Sequence, residues 1–175
     1  GQMCIRVSSR SVNPPIVRAS TVLFKTMQEL RKQQKDEAKN KFVPVWDYGR
    51  KGSQTTIQLQ KILKELEKAY HVFLTQTGFG AVALAIMSIC RPGDEIVISD
   101  CVYSPTQKLT SKLLKEFNVK AIWYDPNSFD DLKKKVTKKT KLIYVENPGS
   151  NSFEFQDLGK IVSFAKKRKI YTAID

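Results

Sequence analysis

A carboxylate directly follows a short apolar run, Ile-Tyr-Thr-Ala-Ile, at residues 170–174. Such a run predicts a buried strand, which places Asp175 at the C-terminal end of that strand. In α/β proteins, small ligands bind in the crevice outside the C-terminal ends of the strands. We therefore expect Asp175 to face a ligand; the alternative is an acid that is hydrated at the surface.

A glycine-containing turn is the second candidate site, in the stretch TQTGFGAVALA that holds Gly78 and Gly80. A helix that begins at this turn points unpaired N–H groups outward, which suits one phosphate group. The G-x-G-x-x-G dinucleotide fingerprint would need a third glycine, and no G-x-x-x-x-G-K-[ST] loop occurs, which disfavours a Rossmann dehydrogenase. The alternative is a tight turn that uses glycine for backbone reasons alone.

Strands and helices alternate from about residue 53 onward. The expected parallel strands lie at 71–75, 95–99, 119–124, 141–146 and 170–175. The expected helices are an amphipathic one at 55–70, a buried apolar one at 76–90, one that Ser104 caps, one opened by Asn127 or Ser128, and one at 155–169. This alternation predicts an α/β fold with right-handed crossovers, a mostly parallel sheet and helices on both faces.

The first fifty residues do not repeat this unit. They contain a proline-interrupted extended stretch, a polar helix in MQELRKQQKDEAKN, and a loop rich in aromatic and basic groups, KFVPVWDYGRKGS. Segments of this kind wrap a neighbour or cover a site more often than they form a domain. We therefore divide the chain into an N-terminal arm at 1–52 and an α/β domain at 53–175.

Composition excludes several classes of protein. Of the 175 residues 41% are hydrophobic, and no apolar run reaches membrane-spanning length, so we expect a cytoplasmic protein with no membrane contact. Cys4, Cys90, Cys101 and His71 lack the spacing of a metal site, so we expect free thiols and no metal.

The net charge of +13 raises the question of a nucleic-acid partner. The lysines are spread over predicted helix faces, often with Glu or Asp between them, and no aromatic residues alternate with them. This pattern favours solvated helix faces over a polyanion site. We therefore expect no nucleic-acid partner.

Five motifs, taken in order, resemble the cysteine and methionine metabolism family of enzymes, which use pyridoxal 5′-phosphate (PLP). They are YGRKGSQTT, TQTGFGAVALA, SDCVYSPTQ, YVENPGS and a strand that ends in aspartate. The resemblance runs from about Asn13 onward. It implies the three-layer large domain of fold type I PLP enzymes, incomplete at its C-terminus, and a homo-oligomer built as a dimer of dimers.

The resemblance also assigns roles to residues. Gly78 and Phe79 would bind the cofactor phosphate through main-chain N–H groups, and Tyr103 would stack on the pyridine ring. Tyr48 and Arg50 would reach across a dimer interface to the phosphate in the adjacent subunit. Tyr103 and Tyr48 are also the catalytic candidates. Without the resemblance, Tyr103 could simply pack on the core, and Tyr48 with Arg50 could form a solvated basic loop.

Three further residues complete the implied site. Asp175 would pair with the pyridine nitrogen and keep it protonated, while Asn147 and Ser150 would lie beside the ring in the same crevice. Phe79 departs from the methionine or alanine that the family often carries at this position, which a main-chain contact tolerates.

Within the family, YGRKG together with ENPGS is most similar to the cystathionine β-lyase branch, because γ-synthases and γ-lyases usually carry T-N-P or A-N-P after the glutamate. The implied reaction is β-elimination of cystathionine to homocysteine, pyruvate and ammonia, a transsulfuration step of methionine biosynthesis. Another family member, such as a γ-synthase, a γ-lyase or a methionine γ-lyase, and a non-catalytic remnant are the alternatives.

In the family, the lysine that binds the cofactor covalently and removes the substrate proton lies in a Ser-x-Thr-Lys type motif after the aspartate strand. No lysine of this sequence has that context. We therefore expect the chain to be the front half of a lyase, truncated before this lysine and inactive alone.

Overall fold

The computed structural model describes residues 13–40 and 46–175, so Cys4 and part of the aromatic loop lie outside it. The chain divides into two compact units, Gly1–Leu74 and Thr75–Asp175. The predicted division after residue 52 stays a prediction. None of the helices in the described ranges is long and apolar enough to cross a membrane.

The first unit contains helix α1 (Met27–Lys39), a short 3₁₀ helix (Gly49–Lys51) and helix α2 (Gln54–Leu66). The predicted polar helix is confirmed as α1. Its N-cap, Thr26, accepts a hydrogen bond from the N–H of Glu29 at 3.1 Å.

Helix α2 begins with a capping box in which Ser53 and Thr56 bond each other's main-chain N–H groups. The helix ends four residues before the predicted end at Tyr70, and it buries none of its residues. The amphipathic pattern therefore predicted the helix correctly, but the apolar face of the helix is not buried within this unit.

The predicted strand at 71–75 is wrong, because this segment has no strand structure. A β-strand requires a second strand that supplies main-chain hydrogen-bond partners, and an apolar run cannot supply them itself. Phe73 in this segment is 66% exposed.

The second unit is built on four parallel strands in the spatial order β2-β1-β3-β4. The strands are β1 (Glu95–Ser99), β2 (Lys120–Tyr124), β3 (Thr140–Val145) and β4 (Tyr171–Ile174). The helices are α3 (Gly78–Ile89), α4 (Ser104–Lys108), α5 (Leu114–Glu116), α6 (Phe129–Lys135) and α7 (Leu158–Lys167). A π-helical turn, Leu109–Leu113, joins α4 to α5. These four strands and the parallel α/β architecture are confirmed.

Alternate residues of the strands face two separate cores. Ile96, Ile98 and Leu142 belong to one core cluster, which includes Ile86 of α3 and Leu109 of the π-helical turn. The other cluster contains strand residues Val97, Ile143 and Val145 and helix residues Leu132 of α6 and Ile161 of α7. Because successive side chains of a strand point to opposite faces, the sheet is covered by helices on both sides, as predicted.

Two predicted helix features need correction. Helix α3 was expected to be buried because it is mostly apolar, but only Ile86 is buried in it. The N-cap of α4 is Tyr103, not Ser104, because the following proline occupies the first helical turn. By contrast, Ser128 caps α6 as predicted, through a hydrogen bond from the N–H of Asp131.

The loop after β3 folds back onto the segment that follows β1. The N–H of Ser150 donates to the carbonyl oxygen of Cys101 at 2.9 Å. A Cβ atom at Gly149 would lie 2.7 Å from Cys101 Sγ and 2.6 Å from Glu154 Oε2. Only glycine therefore allows this close approach.

We expect Gly149→Ala to lower the free energy of unfolding by about 1–3 kcal/mol, because the new methyl group overlaps buried neighbours. Gly159→Ala in α7 is the matched control, since its Cβ would meet only Asp157 Oδ1 at 3.4 Å. The control should stay within about 1 kcal/mol of the parent or become more stable. Urea unfolding of both variants measures the difference, and equal effects would contradict the close packing at Gly149.

Candidate functional site

The C-terminal ends of β3 and β4 carry two of the predicted site residues side by side. The N–H of Asn147 donates to the carbonyl oxygen of Asp175 at 3.1 Å, and the N–H of Asp175 donates to the carbonyl oxygen of Val145 at 3.0 Å. The parallel pairing thus continues past the last strand residues. Asp175 is exposed at this edge of the sheet.

A buried tyrosine contacts the Asp175 carboxylate. The hydroxyl of Tyr144 donates to Asp175 Oδ2 at 3.3 Å, and the Tyr144 side chain is only 2% exposed. Burial raises the pKa of Tyr144, and the nearby negative charge of Asp175 raises it further. The hydroxyl therefore keeps its proton. Tyr144 could not be recognised as a site residue from the sequence, because its position in the strand predicts only a buried core residue.

Tyr103 lies at the same edge, at the start of α4. Its ring is half exposed, and its N–H donates to Glu146 Oε2 at 2.8 Å. Glu146 is 8% exposed and directly precedes Asn147. The Glu146 carboxylate therefore connects the Tyr103 main chain to the segment that holds Asn147 and, through it, Asp175.

Gln156 links groups at the ends of two strands, β2 and β3. Its Nε2 donates to the carbonyl oxygen of Glu146 at 3.1 Å, and its Oε1 accepts from the hydroxyl of Tyr124 at 2.5 Å. Its main-chain N–H donates to Asn147 Oδ1 at 2.8 Å. Burial raises the pKa of Tyr124, so this hydroxyl also stays protonated.

The sequence analysis missed Gln156 and Glu146 as well. A polar residue beside a strand end normally predicts a surface position, and only the structure shows that both are buried. The one available signal was their proximity in the sequence to NPGS.

Ser150 is held in this loop by its main chain. Two loop residues, Asn151 and Phe153, have positive φ values of 66° and 60°, and the Asn147–Pro148 peptide bond is cis. The N–H of Phe153 donates to the carbonyl oxygen of Gly149 at 3.1 Å. The loop therefore keeps Ser150 close to Asn147.

Gly78 and Phe79 form the start of α3. The N-cap Thr77 accepts a hydrogen bond from the N–H of Gly80 at 2.9 Å, and no atom lies within 4 Å of a Cβ built at Gly78. The last residue of α3 lies shortly before β1, so α3 runs opposite to the strands and begins at their C-terminal edge. The open helix start thus lies at the same edge of the sheet as Tyr103 and Asp175.

Tyr48 and Arg50 belong to the first compact unit. Tyr48 forms an isolated antiparallel bridge with Thr21, and the N–H of Gly49 donates to the carbonyl oxygen of Ser20 at 2.7 Å. The Arg50 guanidinium lies 5.0 Å from the centre of the Tyr48 ring, a cation–π contact. The two predicted residues therefore lie together, and their contact with a neighbouring subunit stays a prediction.

The donor set at the sheet edge fits PLP. The open start of α3 suits a phosphate, the exposed face of Tyr103 suits an aromatic ring, and the Asp175 carboxylate suits a protonated ring nitrogen. Within the ranges that the structure describes, no group of three or more His, Cys, Asp or Glu could hold a metal ion. Cys90 and Cys101 are buried free thiols, as predicted.

Comparisons with known proteins identify relatives of this chain. The chain is 32% identical over 164 residues to a cystathionine beta-lyase of Bordetella avium, covering 94% of the chain and 40% of that relative. It is 32% identical over 162 residues to a cystathionine beta-lyase of Haemophilus influenzae, covering 93% of the chain and 40% of that relative. The chain therefore spans about two-fifths of the length of these curated relatives.

A solved structure supports the fold. Cystathionine gamma synthase from Xanthomonas oryzae pv. oryzae superimposes with a TM-score of 0.83 at 26% identity, covering 99% of this chain and 41% of that one. The fold is therefore that of fold type I PLP-dependent enzymes. The Cys/Met metabolism PLP-dependent enzyme model matches residues 4–175, and the chain belongs to this family.

Proposed function

We propose that the protein containing this chain is a cytoplasmic carbon–sulfur lyase that uses PLP to cleave cystathionine by β-elimination. The products would be homocysteine, pyruvate and ammonia. The observation that carries the proposal is the placement of Asp175, Asn147 and Tyr103 at one edge of the sheet, linked through the β3–β4 pairing and Glu146. The cystathionine beta-lyase relatives, at 32% identity, support the choice of reaction.

PLP, when bound, supplies the electron sink for the negative charge that develops on the substrate α-carbon. Gly78 and Phe79 bind its phosphate through the N–H groups at the start of α3. Tyr103 covers one face of the ring and excludes water from it. The Asp175 carboxylate holds the proton on the ring nitrogen, and Asn147 and Ser150 lie beside the ring.

A γ-family reaction is the second candidate. The superposition on a cystathionine gamma synthase is equally consistent with this reaction, since the fold alone does not distinguish the two. The two candidates differ in the carbon–sulfur bond that breaks: β-elimination of cystathionine releases pyruvate and homocysteine, whereas γ-elimination releases 2-oxobutyrate and cysteine.

The first test identifies the keto acid that the purified full-length protein releases from cystathionine in the presence of PLP. We expect pyruvate, with a turnover in the usual enzyme range of about 1–1000 per second. Mass spectrometry of the derivatised keto acids separates pyruvate from 2-oxobutyrate. Release of 2-oxobutyrate would replace the β-lyase proposal with γ-elimination, and release of neither keto acid would overturn both elimination reactions.

The second test removes the charge at the strand end. We expect Asp175→Asn to lower kcat/KM by roughly 100-fold, because the amide no longer stabilises a protonated ring nitrogen. Asp125→Asn is the matched control: Asp125 directly follows β2 but accepts a local hydrogen bond from the N–H of Asn127. Equal losses in the two variants would contradict a specific role for Asp175.

The third test asks whether Tyr48 and Arg50 act across a dimer interface. Arg50→Ala and Asp175→Asn subunits, each expected to have low activity alone, are unfolded together and refolded as a mixture. If Arg50 serves the neighbouring site, each mixed dimer regains one intact site, and the mixture recovers roughly a quarter of wild-type activity. No recovery, although mass spectrometry detects mixed dimers, would show that Arg50 serves its own chain.

A further inference from the structure

We propose that Tyr144 is a positioning residue for Asp175: its hydroxyl holds the carboxylate in the orientation that meets the cofactor ring. This inference rests on the proposed function, since it concerns the same site. It assigns to a buried core residue a role in ligand binding.

The strand register explains how Tyr144 reaches this carboxylate. Tyr144 of β3 pairs with Ala173 of β4, and both residues pack in the same core cluster. Asp175 lies two residues beyond Ala173, so its side chain points to the same face of the sheet. The small side chain of Ala173 leaves room for the Tyr144 ring to extend along β4, and its hydroxyl meets Asp175 Oδ2 at 3.3 Å.

The charges at this contact fix the direction of the hydrogen bond. Burial raises the pKa of Tyr144, and the negative charge of Asp175 raises it further, so the hydroxyl remains a donor at physiological pH. A hydrogen bond to a charged carboxylate is stronger than one between neutral groups. Because Asp175 is exposed, its carboxylate would otherwise rotate freely. The contact at Oδ2 directs Oδ1 toward a ligand.

Packing alone does not account for the hydroxyl. The Tyr144 side chain is 2% exposed, and a phenylalanine would fill the same core volume without a polar atom to satisfy. Tyr171 provides a control on the strand that Asp175 follows. It lies at the start of β4 and is 64% exposed, so Tyr171→Phe removes a hydroxyl at the opposite end of this strand.

The first arm of the test uses NMR on the purified protein without cofactor. Tyr144→Phe should shift the side-chain carboxyl ¹³C resonance of Asp175, whereas Tyr171→Phe should leave it unchanged. In the reciprocal experiment, Asp175→Asn should shift the ¹³Cζ resonance of Tyr144 and not that of Tyr171. The reciprocal experiment keeps the proposal testable if Tyr144→Phe folds poorly. Absence of both shifts would overturn the contact.

The second arm titrates PLP into the wild type and the two phenylalanine variants and follows cofactor absorbance and fluorescence. Tyr144→Phe should weaken PLP binding by roughly 5–10-fold, the loss expected for one hydrogen bond to a charged group at a partly exposed site. Tyr171→Phe should change binding by less than about twofold, because Tyr171 is an exposed residue at the start of β4, away from the C-terminal edge that holds the site.

The two arms separate the possible failures. Shifted resonances with unchanged PLP affinity in Tyr144→Phe would overturn the positioning role. Equal losses of affinity in both variants would show that the Tyr144 hydroxyl has no specific effect on binding and would also overturn it. Failure of the wild type to bind PLP at all would overturn the proposed function, and with it the role of Tyr144 toward a ligand, even if the resonances shift.

Discussion

The parallel pairing of β3 with β4 is the constraint on which the candidate site depends. Strands that run in the same direction must end at the same edge, and this pairing continues one step further through the main-chain hydrogen bonds of Asn147 and Asp175. No further contact is therefore needed to bring Asn147 and Asp175 close together. The two apolar cores that cover the sheet hold this edge rigid, which an accurately placed binding group requires.

Two buried polar residues of the site, Glu146 and Gln156, are satisfied by hydrogen bonds to other residues of the site. Glu146 accepts from the main chain of Tyr103, and Gln156 bonds Glu146, Tyr124 and the Asn147 side chain. Loss of one partner leaves another buried group without a hydrogen bond, which costs about 1–3 kcal/mol. Such a network therefore favours a single arrangement of the loop after β3.

The sequence predicts the sheet well, and the reason is physical. The segments of β1 and β3 are short continuous apolar runs between helix patterns, as expected for strands buried on both faces. The same criterion fails at 71–75, because an apolar run does not reveal whether a partner strand exists. It also fails for the exposed sides of α2 and α3, since an apolar face indicates a need for burial but not where the burial occurs.

The candidate site could be predicted only in part. Asp175 and Asn147 lie at the ends of predicted parallel strands, so the topology alone predicts that they share one edge of the sheet. Tyr103 was predicted as a site residue only from the motif that surrounds it. Tyr144 and Gln156 could not be found in this way, because each acts through a long-range contact, at sequence separations of 31 and 10 residues or more.

Tyr48 and Arg50 in the first unit and Asp175 in the second are held by different physical means. Asp175 follows a strand of a sheet with a full apolar core, whereas the helices of the first unit bury none of their residues. Tyr48 and Arg50 are instead placed by main-chain contacts, since a Cβ at Gly49 would overlap the carbonyl oxygen of Ala19. Lys51 adds ion pairs to Glu37 at 3.0 Å and to Asp47 at 2.9 Å. The pair with Glu37 joins two partly exposed side chains and is weak, whereas the Asp47 side chain is 12% exposed. A substitution at Gly49 would therefore displace Tyr48 and Arg50 while the sheet stays folded, whereas a cavity in the sheet core would disturb Tyr103 and Asp175 together.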